Sequence, residues 1–259
     1  MNILDRIIAE KRQIIARDKE MTGIAVLEKM VQEMDRTNIS FKKSLTGSQT
    51  GIIAEFKRRS PSRDWIFRDA QIDRIIPVYT SGGASAISVL TDEPFFGGTL
   101  TDLQTARQLT DIPLLRKDFI IDDYQVFQAK AYGADVILLI ASALTPLQTK
   151  QLSEVAKNLG LEVLLEIHSD NELDHIHQSV DVVGINNRNL STFVTDTKVS
   201  FDLGGKIPDD YVKISESGIS DPQVVRELRQ AGFRGFLMGE NFMKTDDPGK
   251  ALGEFIASI

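Results

Sequence analysis

Five short apolar runs in this chain of 259 residues each end on a polar or charged residue: Ile52-Ile53-Ala54-Glu55-Phe56-Lys57, Pro113-Leu114-Leu115-Arg116-Lys117, Val163-Leu164-Leu165-Glu166, Val182-Val183-Gly184-Ile185-Asn186 and Val212-Lys213-Ile214-Ser215-Glu216. Apolar runs of this length are the pattern of buried parallel strands, and a charge at the end of one is costly unless that end opens onto a solvated site. Several such ends describe one polar mouth.

The runs belong to a longer alternation. Strands are expected at Gly51 to Lys57, Ser85 to Thr91, Ile112 to Lys117, Asp135 to Ile140, Glu162 to Ile167, Asp181 to Asn186, Tyr211 to Glu216 and Gly235 to Gly239. Helical patterns separate them at Ala70 to Ser81, Leu100 to Leu109, Asp122 to Tyr132, Thr145 to Leu159, Asn171 to His177, Asp221 to Ala231 and Asp247 to Ile256. Several carry start signals, such as Thr145-Pro146, Asp221-Pro222 and Asp247-Pro248, or a closing glycine at Gly133, Gly160 or Gly232. The stretch after Leu190 is the least regular. Such alternation predicts parallel βαβ units, and roughly eight of them close into a (β/α)8 TIM barrel, a fold whose usual length this chain matches. An open doubly wound sheet is the alternative. It is disfavoured because the polar ends are spread over many strands, whereas an open sheet concentrates its ligand at one switch point. No Gly-x-Gly-x-x-Gly follows the first strand, and no phosphate loop ending in Gly-Lys-Ser/Thr is present.

Residues 1–259 are thus read as one barrel domain, of which residues 1–48 form an N-terminal helical extension. Its apolar residues recur at helical spacing, as in Ile3, Ile7, Ile14 and Leu27, Val31, Met34. Such an extension either plugs one end of the barrel or lies over the mouth. With 42% hydrophobic and 26% charged residues the chain can bury a core and stay soluble, and no run reaches the length of a membrane span. Asp5, Arg6, Glu10, Lys11 and Arg12 break up any signal-peptide core, which favours the cytoplasm. The chain lacks cysteine, which excludes disulfides, thiolate metal sites and thiol nucleophiles. A net charge of −7 disfavours a broad nucleic-acid surface but leaves room for a local basic pocket.

Glu55 and Lys57 lie two apart on one strand and point to the same face, as an ion pair at the mouth or a salt bridge closing the barrel. The basic loop Arg58-Arg59-Ser60-Pro61-Ser62-Arg63 follows, and at the C-terminal end of a barrel strand it reads as an anion contact or lid. Lys117, if desolvated, has a lowered pKa and acts as an acid or base; Glu166, in apolar surroundings, has a raised one. The bland reading of each is a solvated rim charge, which recurrence at equivalent strand ends argues against. Small residues in Ser215-Glu216-Ser217-Gly218-Ile219 and Leu237-Met238-Gly239-Glu240-Asn241 let backbone N–H groups approach a phosphate, so a small phosphorylated ligand is expected, with the Glu240 side chain turned away from it. Asp174, His175 and His177 read as a solvated helix face, and no metal site is expected.

Taken with Ser88-Val89-Leu90-Thr91-Asp92-Glu93-Pro94-Phe95-Phe96-Gly97-Gly98, Leu115-Arg116-Lys117-Asp118-Phe119-Ile120, Gly184-Ile185-Asn186-Asn187-Arg188-Asn189-Leu190 and Glu216-Ser217-Gly218-Ile219, the stretch from Ile53 to Ser62 resembles the indole-3-glycerol phosphate synthase family of tryptophan biosynthesis over nearly the whole chain. One departure is Asp64, where the family commonly has glycine. The resemblance implies a carboxy-lyase that closes the ring of 1-(2-carboxyphenylamino)-1-deoxyribulose 5-phosphate with loss of carbon dioxide and water, without a cofactor. It implies Lys117 as general acid and Glu166 as proton-transfer partner, with Glu55 and Lys57 positioning and protonating. Asn186, Arg188, Glu216 and Ser217 would hold sugar, carboxylate and active-site hydrogen bonds. Phe96 and Phe119 would wall the aromatic ring, and Ser60, Gly218 and Gly239 complete the binding set. The expected partner is the small phosphorylated substrate, not nucleic acid or membrane, and other enzymes of the tryptophan pathway are candidate associates. Phosphoribosylanthranilate isomerase, a related phosphate-binding barrel, uses a cysteine base that this chain lacks, and a non-catalytic phosphometabolite-binding barrel fits the lysine and glutamate set less well.

Overall fold

The computed structural model describes residues 2–189 and 192–259. Eight parallel strands close into a barrel in sequence order: β1 (Ile52–Phe56), β2 (Ala86–Leu90), β3 (Leu114–Lys117), β4 (Val136–Ile140), β5 (Glu162–Ile167), β6 (Val182–Asn186), β7 (Val212–Glu216) and β8 (Phe233–Met238), with β8 returning to β1. All eight expected strands are present, within two residues at their ends. Strand β8 starts earlier than its glycine suggests, at Phe233, and its register against β7 shifts between Phe233 and Gly235.

The helices follow their expected spans closely, as at Leu100–Leu109 and Pro146–Asn158, where the Thr145 hydroxyl and the Gln148 side chain form a reciprocal cap. The exception is the span Asn171 to His177. It folds as a short 3₁₀ run, Asp170–His175, and His175 is buried with Nδ1 2.8 Å from Thr149 Oγ1. The reading of His175 as a solvated face is therefore corrected: one histidine in a polar sequence is buried by docking on the Pro146–Asn158 helix. Leu190, in the least regular stretch, lies outside the described residues; beyond it Lys198–Gly204 is helical.

Before β1 stand α1 (Ile3–Met21), α2 (Ile24–Gln32) and α3 (Phe41–Gly47). They serve both ends of the barrel, so the alternatives of plug and cover each describe part of the extension. Helix α3 is the plug. Phe41 and Leu45 are fully buried and cluster with the inward residues Ile53, Ala86, Leu115, Val136, Leu164 and Ile214. The segment before α3 and the helix's first turn are tied to the strand starts, since the Ile39 N–H donates to Asp135 at 2.8 Å and the Lys42 N–H to Glu162 at 2.7 Å.

Helix α1 lies across the opposite, C-terminal end. Its capping box between Asn2 and Asp5 fixes the first turn, and Ile3, Leu4 and Ile7 border the cavity at the mouth. Lys11 is buried and bridges Asp92 and Asp118, on the loops after β2 and β3, at 2.8 and 2.7 Å. Arg116 and Lys11 together hold the buried Asp118 carboxyl below its ordinary pKa against the opposing effect of burial. A buried charge left without its partner costs about 3–5 kcal/mol, so this bridge fastens α1 to the mouth.

Because the plug fills the barrel floor with an aromatic ring, Phe41→Ala should destabilise the protein by about 3–5 kcal/mol, read as a lowered midpoint in urea unfolding with little change in slope.

Candidate active site

The chemistry-bearing side chains stand on alternate strands. On β1, β3, β5 and β7 an apolar residue of the inner cluster is followed two residues later by a charge: Ile53 then Glu55, Leu115 then Lys117, Leu164 then Glu166, Ile214 then Glu216. Residues two apart share a face, and barrels pack their interior in layers drawn from alternate strands. An apolar layer therefore carries a charged one directly above it.

The layer holds one ammonium among three carboxylates. Lys117 Nζ lies 2.9 Å from Glu166 Oε2 and 2.6 Å from Glu216 Oε2. Lys57, one step further along β1, contacts Glu55 Oε1 at 2.6 Å, and Ser88 Oγ donates to Glu55 Oε2 at 3.4 Å. Asn186 donates to the Glu166 carboxylate and accepts from the Arg188 N–H at 3.0 Å. Glu216 comes close to the β6 backbone at Gly184, where an added Cβ would sit 2.3 Å from Glu216 Oε1.

The electrostatics invert two expectations. Burial alone would lower the Lys117 pKa, but Glu166, Glu216 and Glu55 outweigh it and raise the ammonium above the ordinary lysine value. Burial would likewise raise Glu166, yet Lys117 and His168 hold its carboxyl well below the usual range. The carboxyl that rises is Glu216, pushed up to about 7 by burial, with Glu166 adding to the rise and Lys117 opposing it. The two carboxylates share one cation, so they titrate as a unit and one of them carries the raised value.

Above this layer opens a cavity of about 370 Å³. Its wall contains Glu55, Lys57, Ser60, Phe96, Lys117, Phe119, Glu166, Asn186, Arg188, Glu216, Ser217, Gly218 and Gly239, so the structure brings every one of these candidates to one place. The Phe96 and Phe119 rings stand 6.1 Å apart, and Leu138 and Ile140 of β4 add aliphatic wall. Glu240 does not turn away from the cavity. It borders it, paired with Arg63 at 3.1 Å and with Arg188 at 3.9 Å, which offsets its charge beside an anion.

The basic loop after β1 closes as a small hairpin in which Arg59–Ser60 pairs with Asp64–Trp65. Its arginines are engaged by protein groups. Arg58 makes a bidentate pair with Asp102 at 2.7 and 2.8 Å, Arg59 bonds Asp64 at 2.8 Å, and Arg63 holds Glu240. Asp64 adopts φ 55°, in the left-handed region that glycine occupies without strain, and its carboxylate accepts a hydrogen bond from Arg59.

Two contributors lie outside the strand-end pattern. Helix α1 supplies Ile3, Leu4 and Ile7, whose periodicity marks an apolar face without saying what it covers. His168 stands two residues beyond Glu166 with Nε2 3.4 Å from Glu166 Oε1, a spacing visible in the sequence but beyond the end of the apolar run.

The family model described as indole-3-glycerol phosphate synthase matches residues 4–255. A relative of that name from Bacteroides thetaiotaomicron is 55% identical over 258 residues, covering 100% of this chain and 99% of the relative. Relatives of the same name from Burkholderia multivorans and Rhodopirellula baltica are each 41% identical, covering 97% and 97%, and 100% and 100%, of this chain and the relative respectively. Among solved structures, a thiamine phosphate pyrophosphorylase from Pyrococcus furiosus superposes with a TM-score of 0.61 at 18% identity, over 85% of this chain and 97% of that one. The tryptophan synthase alpha subunit of Legionella pneumophila gives 0.61 at 14%, over 86% and 97%. At these identities the structural likeness is one of fold.

The approach of Glu216 to Gly184 makes that glycine a test of the site geometry. Gly184→Ala places a methyl group in collision with Glu216 Oε1 and 3.2 Å from Leu164 Cδ1, and the flexible ends of these side chains must move while the strand stays. Turnover should fall by roughly 10²-fold, as for other small misplacements, with the thermal transition seen by circular dichroism nearly unchanged.

Proposed function

Since the chain belongs to the indole-3-glycerol phosphate synthase family, we propose that its ring closure is driven from the charged barrel layer, with Lys117 as the general acid. The enzyme is a carboxy-lyase of tryptophan biosynthesis that converts 1-(2-carboxyphenylamino)-1-deoxyribulose 5-phosphate to indole-3-glycerol phosphate. The observation that carries the assignment is the Lys117 ammonium, held at 2.9 and 2.6 Å between two carboxylates and bordering the cavity.

As the aryl carbon attacks the ketone, charge develops on the ketone oxygen. Lys117 stabilises it, its position fixed in advance by Glu166 and Glu216. Carbon dioxide then leaves and restores the ring. Dehydration requires a proton taken from carbon and one given to the departing hydroxyl, and Glu166 is the partner in that exchange. A proton on the raised Glu216 carboxyl removes one of the charges that hold the Lys117 proton, making the lysine a better acid.

Phe96 and Phe119 flank the aromatic ring, and Arg188, oriented by Ser62 Oγ at 2.7 Å, faces the substrate carboxylate. Asn186, Glu216 and Ser217 hold the sugar hydroxyls, and Glu55 positions Lys57. The phosphate is held by main-chain N–H groups at Gly218 and Gly239 with Lys57, and Ser60 closes that corner. Ser217 and Gly218, both at positive φ, form the tight turn that brings this backbone to the rim. Among the described residues no helix is long and apolar enough to cross a membrane. The reading further assigns the enzyme to the cytoplasm, with other enzymes of the pathway as associates.

Lys117→Ala should keep the fold and lower kcat by about 10²- to 10⁴-fold while KM changes far less, with Lys117→Met separating charge from packing volume. Near-normal turnover in steady-state assays would transfer the acid role to Lys57. Inorganic phosphate should compete with substrate, and a crystal soaked with it should show the anion between Gly218 and Gly239; density elsewhere would refute the phosphate assignment.

A further inference from the structure

The overall reaction consumes a proton. The substrate carboxylate leaves as neutral carbon dioxide and a hydroxyl leaves as water, so one negative charge disappears and one proton enters from solvent in each turnover. The front of the site is a poor route for it. Glu166 and Lys117 are 3% and 14% exposed, the substrate fills the cavity above them, and Ile3, Leu4 and Ile7 of α1 border the opening.

The back of Glu166 is different. Its Oε2 faces Lys117, but its Oε1 faces the imidazole of His168, whose Nε2 lies 3.4 Å away and is otherwise buried without a hydrogen bond. The opposite ring nitrogen, Nδ1, lies 3.1 Å from the hydroxyl of the exposed Ser142 and 3.5 Å from Glu172 Oε2. The His168 main-chain N–H also donates to Glu172 Oε2, which fixes the carboxylate beside the ring. His168 in addition borders a second, open cleft on the outside of the barrel, shared with Asp170, Val199, Asp202, Leu203 and Lys206. One imidazole therefore separates the catalytic carboxylate from bulk water on the side away from substrate.

We propose that His168 is a proton-relay and positioning residue that recharges the active site from this outer cleft. The imidazolium gives its Nε2 proton to Glu166 Oε1, forming the O–H bond as the N–H bond breaks. Neutral His168, which still carries its Nδ1 proton, then rotates so that the unprotonated ring nitrogen faces the cleft, takes a proton there from water that is replenished from solvent, and returns as the imidazolium to the position in which Glu172 and Ser142 orient the ring. The groups facing the ring are Glu166, Glu172 and Ser142, with Glu216 behind Glu166 and the Lys206–Asp170 ion pair and Asp202 in the cleft. Burial lowers the imidazole pKa, but the hydrogen bond with Glu172 and the charges of Glu166, Glu172 and Glu216 more than compensate and raise it. The charged form of the relay is thus favoured over that of a free imidazole, and its delivery fails as pH rises through that raised value.

The inference rests on the role proposed above for Glu166. The test is steady-state turnover of the intact enzyme in dilute buffer, with and without added imidazole. His168→Gln should lower kcat by about 10²-fold with KM little changed, and imidazole should restore the rate in proportion to its concentration, while the unaltered enzyme does not respond. Unchanged kcat, or a loss that imidazole does not relieve, overturns the relay. If His168→Gln does not fold, Glu172→Gln, which leaves the contact with Glu166 intact, must show the same imidazole-dependent loss, and a normal or imidazole-insensitive rate again overturns it. Glu166→Gln separates the two readings. Full turnover in that variant refutes the role of Glu166 itself, whereas an inactive Glu166→Gln beside an imidazole-insensitive His168→Gln refutes only the route.

Discussion

A lysine ammonium surrounded by three carboxylates, largely withdrawn from water, survives only if the surrounding structure holds each charge in place. Here the barrel does so, because Glu55, Lys117, Glu166 and Glu216 all stand one step above an apolar layer on alternate strands. The apolar layer sets their height and the closed sheet sets their spacing. No loop has to be ordered to assemble this part of the site. Preorganisation of this kind is what electrostatic stabilisation of a developing charge requires, since the dipoles and charges need not move during the reaction.

The same layer explains why the two ends of the barrel are finished so differently. The floor is apolar and is closed by Phe41 and Leu45 from α3, which bury completely against the inner residues. The mouth is charged and is crossed by α1, whose buried Lys11 binds Asp92 and Asp118 beside the loops that carry Phe96 and Phe119. An ion pair gives direction and register to a helix over a wet opening, where hydrophobic burial alone would not, although replacing such a pair with apolar groups is often neutral for stability. Lys11 thereby ties α1 to the loops that carry Phe96 and Phe119.

Much of this was legible in the chain. Strand ends were readable because each apolar run stops at a charge, and all eight strands fall within two residues of the expected spans. The candidates around Glu55, Lys117, Glu166, Asn186 and Glu216 came from that pattern, and the cavity gathers them. His168 escapes that pattern because it lies after its run ends, and the burial of His175 escapes it because a short 3₁₀ segment has no strong periodicity to reveal which side is buried.

The alternation of apolar runs and helical segments, and with it the barrel and the face on which its charges emerge, follows from local periodicity and from the cost of burying a charge. The protonation pattern was decided by tertiary structure. Glu166 and Glu216 look alike as glutamates at the ends of apolar strands, yet one is lowered and the other raised, because barrel closure brings both to one lysine and places a histidine behind only one of them. The two tasks of the N-terminal extension were settled the same way, since an apolar helical face is a local property and the surface that covers it belongs to residues far away in the chain.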